Sequence, residues 1–286
     1  ECDVCTQGKI QKAPCLTKDH VEPDDLPPPA AFGDSITMDH KILSEKTASR
    51  KKDTVALIMK DRFTHWLQAY GFKSKDTVHT LEGLRRFLGP MMDVKHVYTD
   101  GSEEIRLALA KVGTAHDPST PNRPQTNSLA ERTVRKVREG TACTLIQSGL
   151  AEPWWADAME CFCFQHCVLD VVKDGKTPFE LRYGVKYEGP LIPFGAEVHY
   201  KPSSDADVAK LHPMGSKMLR GIFLGYSQHH GGKWNGDLFV GDWDDFERCD
   251  YPGEIRPRRI MSPEVVPVID NEGNFNFPLT TGHLRQ

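Results

Sequence analysis

Three carboxylates occupy positions in this sequence from which they could act together. Asp39 lies within an alternating apolar and polar segment, and Asp100 ends a second strand-like segment. Glu131 lies at the start of a long helical pattern whose next residues are basic. Residues at the strand ends of an open α/β sheet share one site, so these acids could meet. From position alone they could equally be solvated caps.

The chemistry open to such a group follows from its charge. Carboxylates brought together repel one another, and one of them stays protonated at neutral pH unless a cation is bound. Mg²⁺ prefers oxygen ligands and keeps water and phosphate oxygens among them. Two such ions roughly 3.5–4 Å apart can activate a nucleophile and stabilise the leaving oxygen of a phosphodiester.

The elements that must position these acids alternate in type. Strand-like segments read "SITMDHKIL", "TVALIMK", "THWLQAYGFK" and "DVKHVYTD", and helical patterns cover 75–89, 102–113, about 128–149 and about 154–172. This order predicts an α/β layer architecture. After Gly189 the segments become short, strand-like and separated by Gly, His and Asn, which predicts a small separate β-barrel.

Composition limits the classes that remain. The 286 residues are 38% hydrophobic and 27% charged, which is typical of a globular protein. No run of 18 apolar residues predicts a membrane span. A net charge of −4 argues against a passive nucleic-acid coat. Eight cysteines without a secretory signal predict reduced thiols, so we expect the protein in the nucleus and cytoplasm.

Six segments occur in order over residues 1 to about 240: "CDVCTQGK", "YTDGSEEI", "TPNRPQTNSLAER", "WWADAM", "KTPFELRYG" and "RGIFLGYS". Taken in this order, they resemble landmarks of the integrase region of copia-type retrotransposon polyproteins. The resemblance implies an RNase H-like integrase core, a mixed sheet flanked by helices, followed by the small all-β barrel. It also implies that the chain is part of a longer polyprotein.

The resemblance implies an activity as well. It is end processing and strand transfer that insert element DNA into host DNA, with Mg²⁺ or Mn²⁺ held by Asp39, Asp100 and Glu131. Asn127 and Ser128 are expected to turn the chain into the long helix. Contacts with DNA phosphates are expected from Asn127, Arg132, Arg135, Lys136 and Arg138. Without the resemblance, the basic residues could be a solvated helix face.

The implied domains follow the composition. Residues 1–16 would be the remnant of a zinc-binding module, 17–31 a proline-rich linker, 32–188 the core, 189–270 the barrel and 271–286 a flexible tail. Cys2 and Cys5 have the spacing of half a zinc site, to be completed only by upstream histidines. DNA, further copies of the chain and the reverse transcriptase of the same polyprotein are the expected partners.

Several alternatives stay open. Asp34 is a rival to Asp39 as the first acid. Gly101-Ser102 and Ser128 depart from the family pattern, which admits a catalytically decayed DNA-binding relic. An RNase H-type nuclease is a further reading, since fold does not determine function. Cys163, His166 and Cys167 could form a metal site or belong to a buried apolar helix, and Trp154 and Trp155 are interpreted as packing anchors.

Overall fold

The computed structural model describes residues 2–4, 7, 27–90, 92–99, 101–118 and 124–284. Of 116–118 and 124–128 it describes the backbone alone. Cys5, Asp100 and most of the predicted zinc module and linker lie outside the described residues. Across the described part of the chain, no helix combines the length and apolar character needed to span a bilayer.

The first sheet is mixed and has five strands in the order β3-β2-β1-β4-β5. Strands β1, β2 and β3 pair antiparallel, whereas β4 runs parallel to β1 and β5 parallel to β4. The strands are β1 (Ile36–Ile42), β2 (Val55–Asp61), β3 (Leu67–Phe72), β4 (His96–Thr99) and β5 (Ala115–Pro118). The mixed α/β architecture predicted from the sequence is therefore confirmed.

Helices cover both faces of this sheet, which explains why "VALIMK" in β2 is apolar without alternation. They are α1 (Thr77–Leu88), α2 (Glu103–Val112), α3 (Pro124–Ser148), α4 (Trp155–Leu169) and α5 (Pro178–Tyr183). The α1 helix packs on one face, where a Cβ on Gly83 would lie 2.6 Å from Leu57 Cδ2. On the other face, a Cβ on Gly71 would lie 3.1 Å from the Cβ of Ala156 in α4.

The second sheet is antiparallel throughout, with the order β10-β6-β7-β8-β9. Two short helices, α6 (Asp205–Val208) and α7 (Trp243–Arg248), lie between its strands. The strands are β6 (Glu197–Tyr200), β7 (Leu219–Gln228), β8 (Trp234–Asp242), β9 (Arg258–Met261) and β10 (Val265–Pro267).

This second sheet must curl strongly. The edge strands of a flat five-stranded sheet lie about 19 Å apart. Here the turn Ser262–Glu264 joins the two edge strands directly, and such a connection spans at most about 14 Å. Register shifts next to Gly225, whose φ is 128°, bend β7 in the required way. The barrel-like arrangement thus follows from the connection between the edges.

Three features differ from the sequence-based expectations. The short edge strand β5 lies between two predicted helices, where the sequence predicted no strand, and Pro118 is tolerated because it ends an edge strand. The α3 helix begins at Pro124 rather than near Ser128, since proline is favoured at a first helical position. Residues 127 and 128 therefore lie inside the helix and do not turn the chain into it.

The expected flexible tail packs onto the rest of the chain. Leu284 is buried, and the Thr280 hydroxyl donates to the carbonyl of Gln147 at the end of α3. The Asn276 side-chain amide donates to Glu197 in β6. Phe275, Phe277 and Leu279 of this segment also pack against the core.

A buried arginine, Arg50, links the helix α4 to the second half of the chain. Arg50 Nε and Nη2 donate to both carboxylate oxygens of Asp157 at 2.8 and 3.1 Å, and Nη1 donates to the carbonyl of Ile255 at 3.0 Å. The guanidinium lies 4.3 Å from the ring centroid of Trp154. Burial by itself would raise the pKa of Asp157, but the Lys51 and Arg50 charges hold it below its ordinary value.

Replacing Arg50 should therefore destabilise the fold severely. We expect Arg50→Ala to lower the free energy of unfolding by about 3 kcal/mol, because a buried carboxylate loses its bidentate partner. Urea denaturation measures this. The matched control is Lys51→Ala, whose ammonium contacts the same Asp157 but is 54% exposed. It should cost at most about 1 kcal/mol. Equal losses in the two variants would contradict the assignment.

Candidate functional site

Asp39 lies in the middle of β1 and faces the helices α3 and α4. The next residue, His40, lies on the opposite face of the sheet, where its Nε2 and the Thr80 hydroxyl of α1 share a 3.1 Å hydrogen bond. Because successive strand residues point to opposite faces, Asp39 points away from α1. It pairs in register with Ile58, which in turn pairs with Ala69. Ala69 shares its face with Gly71, where α4 packs.

Glu131 lies on α3, which packs against β1, β2 and β4. The face of α3 that meets the sheet carries buried Ala130, Thr133 and Val137, at helical spacing. Glu131 follows Ala130 directly and is exposed beside that face. Because the helix begins at Pro124, Glu131 lies in the third turn and not in the first turn that the sequence predicted.

The end of β4 lies next to Asp39. Thr37 pairs with Tyr98 in parallel register, so β4 ends at Thr99 beside the middle of β1. Asp100, the predicted third acid, lies outside the described residues. Within the residues that are described, no group of three His, Cys, Asp or Glu side chains is arranged to hold a metal ion.

The rival acid Asp34 has a different role. Its Oδ2 accepts from the backbone N–H groups of Ala30 and Ala31, and its Oδ1 lies 2.7 Å from Lys95 Nζ. The hydrogen bond from Lys95 and those backbone bonds lower the pKa of Asp34 to about 2. Asp34 therefore stabilises the turn that leads into β1 and does not lie on the strand face that Asp39 occupies.

A basic groove runs along α3. It has a volume of about 430 Å³ and is open to solvent. Its walls carry three cations and two acids from α3 and the end of α4, namely Arg132, Arg135, Lys136, Glu139 and Asp170. Gly140 allows α3 to lie close to α4, since a Cβ there would lie 2.1 Å from the ring of Phe162 in α4. Arg138 is exposed but does not line the groove.

One cation of the groove is held by a buried histidine. His166 Nε2 lies 3.1 Å from Lys136 Nζ, and His166 Nδ1 lies 2.6 Å from Asp170 Oδ2. Burial and the Lys136 charge lower the pKa of His166 to about 4, against the opposing effect of Asp170. The neutral ring therefore donates from Nδ1 to Asp170 and accepts at Nε2 from Lys136, which orients the ammonium.

The thiols near His166 are structural. Cys163 and Cys167 are fully buried, and burial raises the pKa of both, that of Cys167 to about 12. Cys167 also exchanges hydrogen bonds with the backbone of Leu67 in β3. Cys163 and Cys167 therefore lie on a largely buried helix, and both ring nitrogens of His166 have hydrogen-bond partners.

Other sequence interpretations can now be compared with the structure. Trp154 and Trp155 are buried, which confirms them as packing anchors. Cys2 is exposed, and its expected zinc partner Cys5 is among the residues not described. The positioning role of His166 was missed because its partner Lys136 is 30 residues away. The spacing of His166 and Asp170, four residues apart on one helix, was the available signal.

The lowered pKa of His166 makes a pH-dependent contribution to stability. The unfolded chain binds a proton at this residue below about pH 6.5, whereas the folded chain keeps the ring neutral down to a pKa of about 4. Stability therefore falls as the pH falls through this window, by about 3 kcal/mol from this group. Urea unfolding at pH 4.5 and 7 measures the loss.

His166→Gln is the matched comparison, because Gln has no titratable group but retains a donor and an acceptor. The variant should lose clearly less stability than the native protein between pH 7 and 4.5. An identical pH dependence would show that His166 does not have the lowered pKa.

Comparison with known proteins adds three structural likenesses. No protein-family model matches the chain. A chain of the simian T-cell lymphotropic virus intasome, solved in complex with PP2A regulatory subunit B56 gamma, superposes with a TM-score of 0.45 and 14% identity, over 94% of this chain and 88% of that chain.

Two further likenesses each cover about half of this chain. The HTLV-2 integrase catalytic core domain, in complex with magnesium and in trimeric form, superposes with a TM-score of 0.42 and 15% identity, over 54% of this chain and 98% of that one. The catalytic core domain of BIV integrase superposes with a TM-score of 0.40 and 13% identity, over 53% of this chain and 95% of that one. The chain is similar to these proteins in the arrangement of its elements.

Proposed function

We propose that this chain is an integrase of the copia type, a polynucleotidyl transferase that processes the ends of element DNA and joins them to a target DNA. The observation that carries the proposal is that two acids lie on or face the helix α3, which also carries a row of cations. Asp39 faces α3, Glu131 lies on α3, and the cations of the same helix continue along the groove. The order of the six sequence landmarks supports it.

The donor set fits a divalent cation. Asp39 and Glu131 offer the hard carboxylate oxygens that Mg²⁺ and Mn²⁺ prefer, and β4 ends beside Asp39 at the residue before Asp100. We propose these three residues as the metal ligands. When bound, the metal ions supply activation of the nucleophile and stabilisation of the leaving oxygen.

The residues of the groove have a different task. Arg132, Arg135 and Lys136 would contact phosphates of the DNA and hold the reacting phosphodiester beside the acids. Contacts of this kind position DNA and carry no sequence information. The His166 ring keeps the Lys136 ammonium oriented, which lowers the entropy lost when the phosphate binds.

The partners follow from the reaction. Joining two ends of one DNA requires two active sites, so we propose that the protein acts as a multimer on element and target DNA. Association with the reverse transcriptase of the same polyprotein, zinc binding at Cys2 and Cys5, and action within the nucleus and cytoplasm stay predictions.

A strand-transfer assay tests the proposal. Purified protein is mixed with short labelled duplex ends and a plasmid target, in Mg²⁺ and in Mn²⁺. We expect joined product that requires the metal and falls at least about 100-fold in Asp39→Asn and in Glu131→Gln, because each loses a charged ligand. Glu103→Gln on α2, an exposed acid paired with Arg106, is the control and should retain activity.

Three other outcomes have distinct meanings. Metal-dependent cutting without joining would indicate an RNase H-type nuclease. DNA binding without cutting or joining would indicate a relic that kept its fold. Joining that persists in Glu131→Gln at the native rate would remove Glu131 from the site.

A further inference from the structure

Lys60 lies near Asp39 on the same face of the sheet. It is the next-to-last residue of β2 and pairs with Thr37, whereas Asp39 pairs with Ile58. Lys60 and Asp39 are therefore diagonal neighbours on antiparallel strands, a relation that places their Cα atoms about 7–8 Å apart.

Lys60 belongs to a group of cations from three separate elements. Burial lowers the pKa of Lys60, and the charges of Lys136 and Arg132 on α3 lower it further. The pKa of His65, in the turn between β2 and β3, is lowered by burial and then by Lys60, Lys173 and Lys136. Lys173, after α4, lies over the ring of Phe63 in the same turn, with Nζ 4.7 Å from its centroid.

The turn between β2 and β3 is held firmly. The Asp61 carboxylate accepts hydrogen bonds from the backbone N–H and the hydroxyl of Thr64, both at 2.7 Å. Its second oxygen accepts from Gly33 N–H at 3.0 Å. Asp61 is fully buried, so it stabilises the backbone of the turn and is not exposed as a counter-ion for the nearby cations.

Two lysines of this group have no salt bridge: among the described residues, no ion pair involves Lys60 or Lys173. Asp170, the acid 3.8 Å from Lys136, is already bonded to His166. Like charges held together in the folded state repel one another, and a bound anion relieves that repulsion.

We propose that Lys60, Lys136 and Lys173, together with His65, form a binding site for the phosphodiester backbone of duplex DNA beside Asp39. This inference rests on the proposed function, since it assigns residues outside the α3 groove to the same DNA. The site extends the basic surface from α3 across the end of β2 to the segment after α4. Lysine acts there as a point charge, so the site positions DNA without reading its sequence.

Salt-dependent DNA binding tests the site. The affinity for a fluorescent duplex is measured by anisotropy in EDTA, over a series of KCl concentrations, for the full chain and for Lys60→Gln and Lys173→Gln. Each variant should bind more weakly and reduce the slope of log K against log salt by about 0.9, the value for one lost phosphate contact. Lys60→Arg should retain the native slope.

Lys111→Gln is the matched control. Lys111 lies in the last turn of α2, is exposed, and belongs to a helix packed against α1 on the opposite side of the sheet. It carries the same charge change and should leave the slope unaltered. Lys173 is also exposed, so its variant gives a result even if replacement of the more buried Lys60 impairs folding.

The outcomes separate the two proposals. If the native protein binds DNA and both variants match Lys111→Gln, the site is wrong while the proposed function stands. If the native protein does not bind DNA, the proposed function fails and the site fails with it. Reduced slopes in Lys60→Gln and Lys173→Gln, together with metal-dependent strand transfer by the native protein, would support both.

Discussion

The structure depends on the burial of α4 between the two sheets. The Arg50–Asp157 ion pair fixes the first turn of this helix, and the guanidinium also reaches the carbonyl of Ile255 in the second half of the chain. Cys167 at the other end bonds to the backbone of β3. A buried bidentate pair is costly to break, so the helix has one position relative to both sheets.

That position determines the groove and its charge. Phe162 of α4 meets α3 at Gly140, and His166 of α4 orients Lys136 on α3. The helix that carries Glu131 therefore meets α4 about one to three turns further along its length, at Lys136 and Gly140. A buried helix of small thiols and aromatic rings thus sets the geometry of an exposed polar surface, because a close-packed interior transmits position.

Local charge differs from the sum over the chain. The net charge is −4, yet the charges of Lys60, Lys136 and Lys173 all lower the pKa of His65. The acids Asp61 and Asp34 accept hydrogen bonds from backbone N–H groups of turns. An acid bonded to backbone N–H groups stabilises a turn and contributes little to a surface that attracts phosphate. The net charge of the chain therefore does not describe the charge of this local surface.

The sequence predicted the elements well where its pattern was long or strongly periodic. The strands β1 to β4 and the helices α1, α2 and α4 were expected near their observed bounds. The edge strand β5 was missed because four residues that end in proline carry no periodic signal. The start of α3 was placed near Ser128 instead of Pro124, since a polar segment with two prolines resembles a loop as much as a helix start.

The sequence by itself determined the α/β architecture, the second antiparallel sheet and the residue types available for chemistry, because these follow from hydrophobic periodicity and from local order along the chain. Only the tertiary structure decided that Asp39 and not Asp34 faces α3, that His166 holds Lys136, and that Lys60 lies diagonal to Asp39. The positions of Asp39 and Lys60 depend on strand register, and the contact of His166 with Lys136 joins residues 30 positions apart. Local spacing along the chain encodes neither the register nor such a distant contact.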